Sequence, residues 1–523
     1  MLITPQSICG MICSSVKKLY TVTFWLIMGF SLFAASWHVL HGSIWFHTDI
    51  ARDFLLINDV VVNHKLALIG PRSGGIPGVF HGPAWLYLNL PVFIFSHGNP
   101  IAIGWFWVFL FGCSVASMFF ITQKLTNMQT AMIATSLYAL TTCTAVSNLF
   151  NPFGALLFAP LYVFYLIRYF ERHKFQDMFL AVFIAGIVIQ FQMAWGVPIL
   201  MLSLPVLVYS VIKNKKIVHF TSFGVLIIPL STFFLFDLRH QFLQTKSVLA
   251  YIGSGSEVGK QKIDILHLFI QRLRLMAFSL PGYFTQGTNI FSLALFLCVL
   301  GLLILFFVKK NKNKSLLPLI FVYFYIGFWI ITLVFKGTIW DYYYWPFLPL
   351  FCIVLAILLY STFGQKMIYL AAPLFIFLVM SNTQRMFKEN SKFFTTNSGQ
   401  WTFFAKQAQD IYKDANGNFG WYVYTADQYG YSSKYAMAYS QHFYPNSQGQ
   451  AFVKQEKTYL IIFPSTNPYT NENWWRPNQI KISKKPTTVF RYPDGSYVEK
   501  YVLNSQEMNV RSDPNLIQDM IFR

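Results

Sequence analysis

Long apolar runs alternate with short polar segments over the first 381 residues of the chain. About eleven of these runs are long enough to cross a bilayer as helices, since ~20 apolar residues span its hydrocarbon core. They lie at 20–40, 101–122, 130–148, 153–170, 177–194, 197–212, 218–236, 288–308, 315–335, 343–361 and 366–381. The pattern predicts an α-helical polytopic membrane protein.

After residue 381 the composition shifts to Asn, Ser, Gln, Lys and Tyr, and runs of spanning length stop. Alternating apolar and polar residues predict strands, and one stretch at 403–412 has the period of a helix. The predicted strands lie at 421–424, 459–463, 487–492 and 497–502. We therefore expect two domains: a transmembrane domain over 1–381 and a small α/β domain over 382–523.

The composition supports this class of protein. Hydrophobic residues make up 55% of the 523 residues and charged residues 11%, whereas soluble domains carry about 25% charged residues. The formal charge of +20 lies in short clusters between apolar runs, where positive-inside sorting accounts for it and a nucleic-acid partner is not expected. The six cysteines lie near the N-terminus or inside apolar runs, so neither a disulfide framework nor a zinc site is expected.

Basic residues in alternate loops predict the orientation. If the N-terminus is cytoplasmic, every short cytoplasmic loop is basic, whereas the short loops near 151 and 195 carry no charge. The basic positions are Lys17, Lys18, Lys124, Arg168, Arg172, Lys174, Lys213, Lys215, Lys216, 309–314 and Lys366. An odd number of spans then leaves the C-terminal domain outside, together with large outer loops at 41–100 and 237–287.

Acidic residues are concentrated on the predicted outer side. Residues 1–381 contain nine carboxylates, of which only Glu171 and Asp177 fall on the inner side. Loop sorting responds little to acidic residues, so the imbalance indicates an active site at the outer face.

The first outer loop carries the densest set of charges. Residues 48–63 have the pattern of an amphipathic helix, in which Asp49, Arg52 and Asp53 share one face at the i, i+3, i+4 spacing. Such a helix would lie along the membrane surface with its charges turned toward a pocket. Four Gly-Pro, Gly-Gly or Pro-Gly breaks over 70–83 then predict a long shaped loop. An alternative reading of Asp49, Arg52 and Asp53 is a structural ion pair.

Carboxylates and cations beside a bilayer suit transfer of a group from a lipid phosphate. A carboxylate would deprotonate the acceptor hydroxyl, and cations would hold the phosphate through charge-assisted hydrogen bonds. Further candidates for this pocket are Lys65 and Arg72 in the first outer loop, Asp237, Arg239 and His240 in FDLRH, and Lys336, Asp341 and Tyr343 in an aromatic third loop. Several of these residues also have a structural interpretation. Lys65 could be a solvated charge, and the residues of FDLRH could be a charge cluster at a helix end. Lys336 and Asp341 could be a pair within a loop, and Tyr343 could be an interfacial aromatic.

Four motifs resemble those of the GT-C superfamily of polyprenyl-phosphate-dependent glycosyltransferases. They are DIARD at 49–53, GPRSGG followed by FHGPAWLYL over 70–88, FDLRH at 236–240, and the aromatic segment that ends at Pro346. The chain is most similar to the bacterial relatives of the protein O-mannosyltransferases, which include the lipid A aminoarabinose transferases. The resemblance covers the layout of residues 20–350.

The resemblance implies roles for individual residues. Asp49 would be the catalytic base, with Asp53 as a second functional carboxylate or as a partner of Arg52. Arg52 and His81 would bind the donor phosphate, and Arg239 with His240 are further candidates for that role. His81 stands where the aminoarabinose branch has lysine, so its charge depends on protonation, and it could instead support a Gly-Pro turn.

The implied function is transfer of one sugar, with inversion, from a polyprenyl-phosphate donor to a glycolipid, glycan or protein acceptor of the cell envelope. The expected location is a bacterial plasma membrane, in contact with membrane lipids. No cofactor is expected; the two carboxylates could hold a divalent cation, but the sequence offers too few further oxygen ligands.

Two other functions compete with this reading. A transporter or flippase for a lipid-linked sugar would carry charges near the middle of its spans, and these spans are nearly free of charge. A glycan-binding sensor or scaffold would fit the aromatic C-terminal region but would leave Asp49, Arg52 and His81 without a purpose.

Overall fold

The computed structural model describes residues 5–253, 265–285, 287–309, 315–335, 337–390, 399–426, 429–465, 471–514 and 516. The chain separates into two compact units. The first comprises Met1–Ser36, Leu66–Leu88 and Trp107–Gln384, and the second comprises Trp37–Lys65, Asn89–Phe106 and Arg385–Arg523. The second unit thus includes two segments from early in the chain, and the domain division at residue 381 stays a prediction.

Fifteen α-helices precede residue 391 in the described part of the chain. They are α1 (Pro5–Leu40), α2 (Thr48–Asn63), α3 (Ala84–Phe95), α4 (Pro100–Leu125), α5 (Met128–Thr142), α6 (Pro152–Arg172), α7 (Phe175–Phe191), α8 (Met193–Lys213), α9 (Ile227–Arg239), α10 (Leu243–Gly253), α11 (Ile265–Thr285), α12 (Ile290–Val308), α13 (Leu317–Val334), α14 (Leu348–Phe363) and α15 (Met367–Asn390). Short 3₁₀ helices lie at Cys143–Asn148, Ile217–Leu226, Asp341–Phe347 and Gly364–Lys366.

Each apolar run predicted from the sequence corresponds to a helix, so the helical polytopic class is confirmed. Among the described residues, eight helical segments are long and apolar enough to cross a membrane, and one of them, Asp341–Glu389, contains both α14 and α15. The apolar α7 is shorter than this length, and α5 has only 15 residues.

Helix α14 lies at the centre of the first unit. Its residues 348–358 are apolar on every side of the helix, and all of them are buried. A helix with this pattern is enclosed by other helices. Its neighbours are α5, α6, α12 and α13.

The second unit contains a five-stranded mixed sheet with strand order β2-β1-β3-β5-β4. Parallel pairs join β1 to β2 and to β3, while β5 is antiparallel to β3 and β4. The strands are β1 (Phe419–Tyr424), β2 (Gly449–Ala451), β3 (Lys457–Ile462), β4 (Thr488–Arg491) and β5 (Tyr497–Val502), and the helices are α16 (Trp401–Ala415), α17 (Tyr431–Ser440), α18 (Glu472–Trp475) and α19 (Ser505–Asn509). The four predicted strands and the helix at 403–412 are confirmed, and the short β2 and α17 were not predicted.

Candidate active site

Helix α2 occupies residues 48–63, as the sequence predicted. It starts after His47, whose Nδ1 accepts a hydrogen bond from the backbone N–H of Asp49 at 3.2 Å. Asp49 therefore lies in the first turn, where the positive end of the helix dipole stabilises a carboxylate.

The apolar face of α2 packs inside the second unit. Ile50, Phe54 and Ile57 are buried, and the Phe54 ring lies 5.1 Å from the ring of Tyr435 on α17. Phe46, just before the helix, contacts both Phe54 and Tyr435. The amphipathic pattern of α2 predicted a helix that lies on a membrane surface. In the structure, the apolar face of α2 instead packs against side chains of α17.

The segment leading into α2 is fixed by main-chain hydrogen bonds. The Phe46 N–H donates to the Gly399 carbonyl at 2.7 Å, and the Trp401 N–H donates to the Ile44 carbonyl at 3.0 Å. The Ser432 hydroxyl also donates to the Phe46 carbonyl at 2.7 Å. Residues far apart in the sequence thus fix the start of α2 at Thr48 and, with it, the position of Asp49 in the first turn.

Asp49, Arg52 and Asp53 form one ionic cluster. The Arg52 Nε and Nη2 atoms donate to Asp53 Oδ1 at 3.0 and 2.8 Å, and its Nη1 donates to Asp49 Oδ1 at 2.5 Å. The side chains of Arg52 and Asp53 are 9% and 4% exposed, whereas that of Asp49 is 46% exposed. Asp49 is therefore the member of the cluster that is open to solvent.

Burial controls the electrostatics of the cluster. It raises the pKa of Asp53 to about 6, although the Arg52 guanidinium acts in the opposite direction. The pKa of Arg52 is raised overall, because attraction to the two carboxylates exceeds the effect of burial. Asp53 Oδ2 is buried and has no hydrogen-bond partner among the described residues. Asp53 thus carries its charge at a desolvation cost that Arg52 only partly offsets.

His81 lies in the first unit, in a hairpin-like part of the loop over 66–88. The Gly70 N–H donates to the His81 carbonyl at 2.8 Å, and the His81 N–H donates to the Pro71 carbonyl at 2.9 Å. A Cβ at Gly70 would meet the Gly82 carbonyl oxygen at 2.4 Å, so the close approach of these two segments requires glycine. His81 is buried, and the side chain of Arg72 in the same loop is exposed.

Asp237 is the N-terminal cap of helix α10. Its Oδ1 accepts from the Gln244 N–H at 2.8 Å, and its Oδ2 accepts from the Thr245 N–H and hydroxyl at 3.1 and 2.6 Å. The Gln244 side chain in turn accepts from the Phe80 N–H at 3.0 Å, which connects α10 to the hairpin that contains His81.

The other predicted positions differ in exposure. Arg239 and His240 are exposed, and the His240 ring stacks on Phe236 with 4.1 Å between ring centroids. Asp341 is exposed and accepts from the Tyr342 N–H at 2.8 Å, and Tyr343 is buried.

Two further candidates complete the set predicted from the sequence. Lys65 is exposed and lies in the second unit. Lys336 lies outside the described residues.

The first unit contains two further buried polar residues of note, Arg272 and Gln192. Arg272 is 1% exposed and donates to the carbonyl oxygens of Thr332, Phe335 and Gly337 at 3.3, 3.3 and 2.6 Å. Gln192 is fully buried between α7 and α8, and neither atom of its amide has a hydrogen-bond partner among the described residues. The signal for Arg272 in the sequence is an arginine within the largely apolar run of α11.

The two carboxylates of α2 do not fit a divalent cation in this arrangement. Both bind the guanidinium of Arg52, which occupies the position between them. Within the described ranges, no group of three or more His, Cys, Asp or Glu side chains could hold a metal ion. Hard cations need more oxygen ligands than this pair supplies.

No protein-family model matches the sequence, and no curated protein sequence matches it. The fold does match solved structures. ArnT from Cupriavidus metallidurans, bound to undecaprenyl phosphate, has a TM-score of 0.60 at 8% identity, over 93% of this chain and 98% of that chain. The chain has the GT-C fold.

A second structure of ArnT, in the apo state, matches the same GT-C fold with a TM-score of 0.57 at 9% identity, over 92% of this chain and 98% of that one. An oligosaccharyltransferase from Archaeoglobus fulgidus has a TM-score of 0.45 at 11% identity, over 83% of this chain and 67% of that one. Because the identities to the two ArnT structures are only 8% and 9%, this similarity shows the fold alone.

Proposed function

We propose that the protein is an integral-membrane glycosyltransferase that transfers one sugar from a polyprenyl-phosphate donor to a hydroxyl of a glycolipid, glycan or protein. The observation that carries this proposal is the half-exposed Asp49 carboxylate, held at 2.5 Å by a buried arginine at the start of α2. The GT-C fold, shared with an ArnT structure that contains undecaprenyl phosphate, supports the choice of donor.

Asp49 acts in this proposal as the general base. It accepts the proton of the acceptor hydroxyl while the hydroxyl oxygen forms a bond to the anomeric carbon of the donor sugar. The bond between that carbon and the phosphate oxygen breaks, and the polyprenyl phosphate leaves with the electron pair. Attack from the side opposite the phosphate inverts the configuration at the anomeric carbon.

Arg52 and Asp53 position the base. With all three groups ionised, the cluster has one net negative charge, because two carboxylates share one guanidinium. Because Asp53 receives two hydrogen bonds from Arg52, it fixes the orientation in which the guanidinium reaches Asp49. We also propose that the donor phosphate is bound by Arg52, His81, Arg239 and His240.

The test is a transfer assay with purified protein in nanodiscs, supplied with undecaprenyl-phosphate sugars and a panel of acceptors. Asp49→Asn should lower the rate by about 10²–10⁴-fold, the usual contribution of a general base. Asp59→Asn is the matched control, since Asp59 lies on the same helix and accepts a hydrogen bond from the Asn63 side chain at 2.6 Å. Full activity of Asp49→Asn would show that the cluster is only a structural ion pair. Failure of every polyprenyl-phosphate sugar to react would exclude the donor class.

We also propose that the protein resides in a bacterial plasma membrane with a cytoplasmic N-terminus and an outer C-terminal unit. The basic residues at Lys124, Lys174 and Lys216 support this orientation through the positive-inside rule. The exposed Asn446 of the C-terminal unit is a suitable reporter position. A membrane-impermeant thiol reagent should label the Asn446→Cys variant in intact cells. Labelling only after cell lysis would reverse the orientation.

A further inference from the structure

A large cleft of the first unit lies at one end of its helices, with a volume of about 1000 Å³. This is at the upper end of the range for small-molecule sites, roughly 300–1,000 Å³. Residues at or beside the ends of α4, α5, α6, α12, α13 and α14 surround it. Its described lining includes none of the residues predicted for glycosyl transfer.

The cleft lies away from Asp341 along helix α14. Asp341 begins the 3₁₀ helix that leads into the N-terminal end of α14, whereas the cleft is lined by residues near its C-terminal end, from Ile357 to Thr362. The 16 residues of α14 rise ~24 Å. The cleft is therefore near the opposite ends of the spanning helices, at the depth where lipid headgroups would lie.

The lining of the cleft is amphiphilic. Leu125, Leu305, Phe306 and Ile357 form apolar wall, and hydroxyl, amide and charged side chains supply the remainder. A fully polar ligand would leave the apolar wall exposed to water, and a hydrocarbon chain would leave the polar groups unpaired. A molecule with a polar head and an apolar tail satisfies both.

The N-terminal end of α5 carries the most informative polar group. Thr130 is fully buried, lines the cleft, and its Oγ1 has no hydrogen-bond partner within the described part of the chain. The Asn127 side chain caps this end of α5 by accepting from the Thr130 N–H at 3.0 Å. A buried hydroxyl at a helix N-terminus is suited to an anionic oxygen, which the helix dipole also attracts.

Among the described lining residues, two side chains of opposite charge line the same cleft. Lys309 follows the C-terminal end of α12, and Glu171 lies in the last turn of α6. An anionic headgroup would be attracted by Lys309 but repelled by Glu171. A zwitterionic headgroup can place its phosphate near Lys309 and Thr130 and its ammonium near Glu171.

We propose that this cleft binds a zwitterionic phospholipid whose headgroup carries a primary amine. The phosphate contacts Lys309 and the N-terminal end of α5, the ammonium donates to Glu171, and the acyl chains follow the apolar wall. This lipid is not the glycosyl donor, so the proposal is independent of the proposed function.

Lipid retention tests the proposal. The full-length protein is placed in nanodiscs of equal parts phosphatidylethanolamine, phosphatidylcholine and phosphatidylglycerol, then extracted in mild detergent, and the retained lipid is quantified by mass spectrometry. We expect enrichment of phosphatidylethanolamine over both other lipids. Equal retention of the three, or preference for phosphatidylcholine or phosphatidylglycerol, would overturn the proposal without any substitution.

Substitutions then locate the site. Lys309→Glu should reduce retained phosphatidylethanolamine by about tenfold, and Lys216→Glu should not, since Lys216 is an exposed lysine that does not line the cleft. Thr130→Val should also reduce retention, yet raise the melting temperature in lipid-free detergent, because it removes a buried hydroxyl that has no partner among the described residues. Wild-type retention in both Lys309→Glu and Thr130→Val would overturn the assignment of the lipid to this cleft.

Discussion

Two short motifs of similar composition, DIARD at 49–53 and FDLRH at 236–240, have different structures. In the first, Asp49 and Arg52 are three residues apart on a helix and form an ion pair. In the second, Asp237 and Arg239 are two residues apart, and side chains at that spacing point in different directions. Asp237 therefore caps α10 while Arg239 faces solvent. Spacing, more than residue type, separates a cluster that can support catalysis from a structural cap.

After loss of Asp49 itself, removal of the central arginine, Arg52, should have the largest effect. Arg52→Met leaves the buried Asp53 without its cation, so we expect at least about 10²-fold slower transfer and an unfolding free energy lower by about 3–5 kcal/mol. Transfer assays and denaturant unfolding in detergent measure the two effects. Arg172→Met is the control, since that arginine is exposed and is not a candidate site residue. A rate within twofold of wild type would remove the cluster from the mechanism.

The pH dependence should separate activity from stability at Asp53. If ionised Asp53 positions Arg52, transfer falls about tenfold per pH unit below pH 6, the pKa of Asp53. Protonation of Asp53 has the opposite effect on stability, since it contributes to the free energy of unfolding. The reason is that Asp53 in the folded state binds its proton more tightly than an unfolded aspartate, whose pKa is 3.8. That contribution, about 3 kcal/mol, is complete below pH 3.8 and is lost as the pH rises through 6.

Asp53→Asn provides the comparison for this pH profile. The variant should be slow at every pH and should lack the decrease centred on pH 6. An unchanged decrease in Asp53→Asn would assign that ionisation to another group.

Loss of the helix cap should have a smaller effect. Asp237→Ala removes the acceptor for the first turn of α10, so the unfolding free energy should fall by about 1 kcal/mol. Asp237→Asn retains an oxygen that can cap the helix and should be close to wild type in thermal unfolding. If Asp237 contacts substrate instead, Asp237→Asn will keep its stability but lose activity.

The smallest effect is expected at Arg239. Its exposed side chain should contribute less than about 0.5 kcal/mol to folding. If it attracts the donor phosphate, Arg239→Ala will raise the KM for the donor about threefold at low salt, and the difference will shrink as salt screens the charge. An unchanged KM at low salt would exclude Arg239 from donor binding.

Much of the architecture was predictable because local pattern determines it. Apolar runs predicted the helices, and the i, i+3, i+4 spacing predicted that Asp49, Arg52 and Asp53 share a face of α2. The packing of α2 could not be predicted, because it depends on contacts with Tyr435 and Ser432, which lie far along the chain in α17. The cap formed by Asp237 could not be predicted either, because the FDLRH sequence does not show where the next helix begins.

The main-chain bonds between Phe46 and Gly399, with the ring of Tyr435 against Phe54, have a practical consequence for anyone who trims this protein. A shortened chain that stops near residue 390 would retain all of its apolar spans together with Asp49, Asp53 and Asp59. We nevertheless expect it to be inactive, because the surface that orients the proposed base, Asp49, would have been removed with the hydrophilic tail.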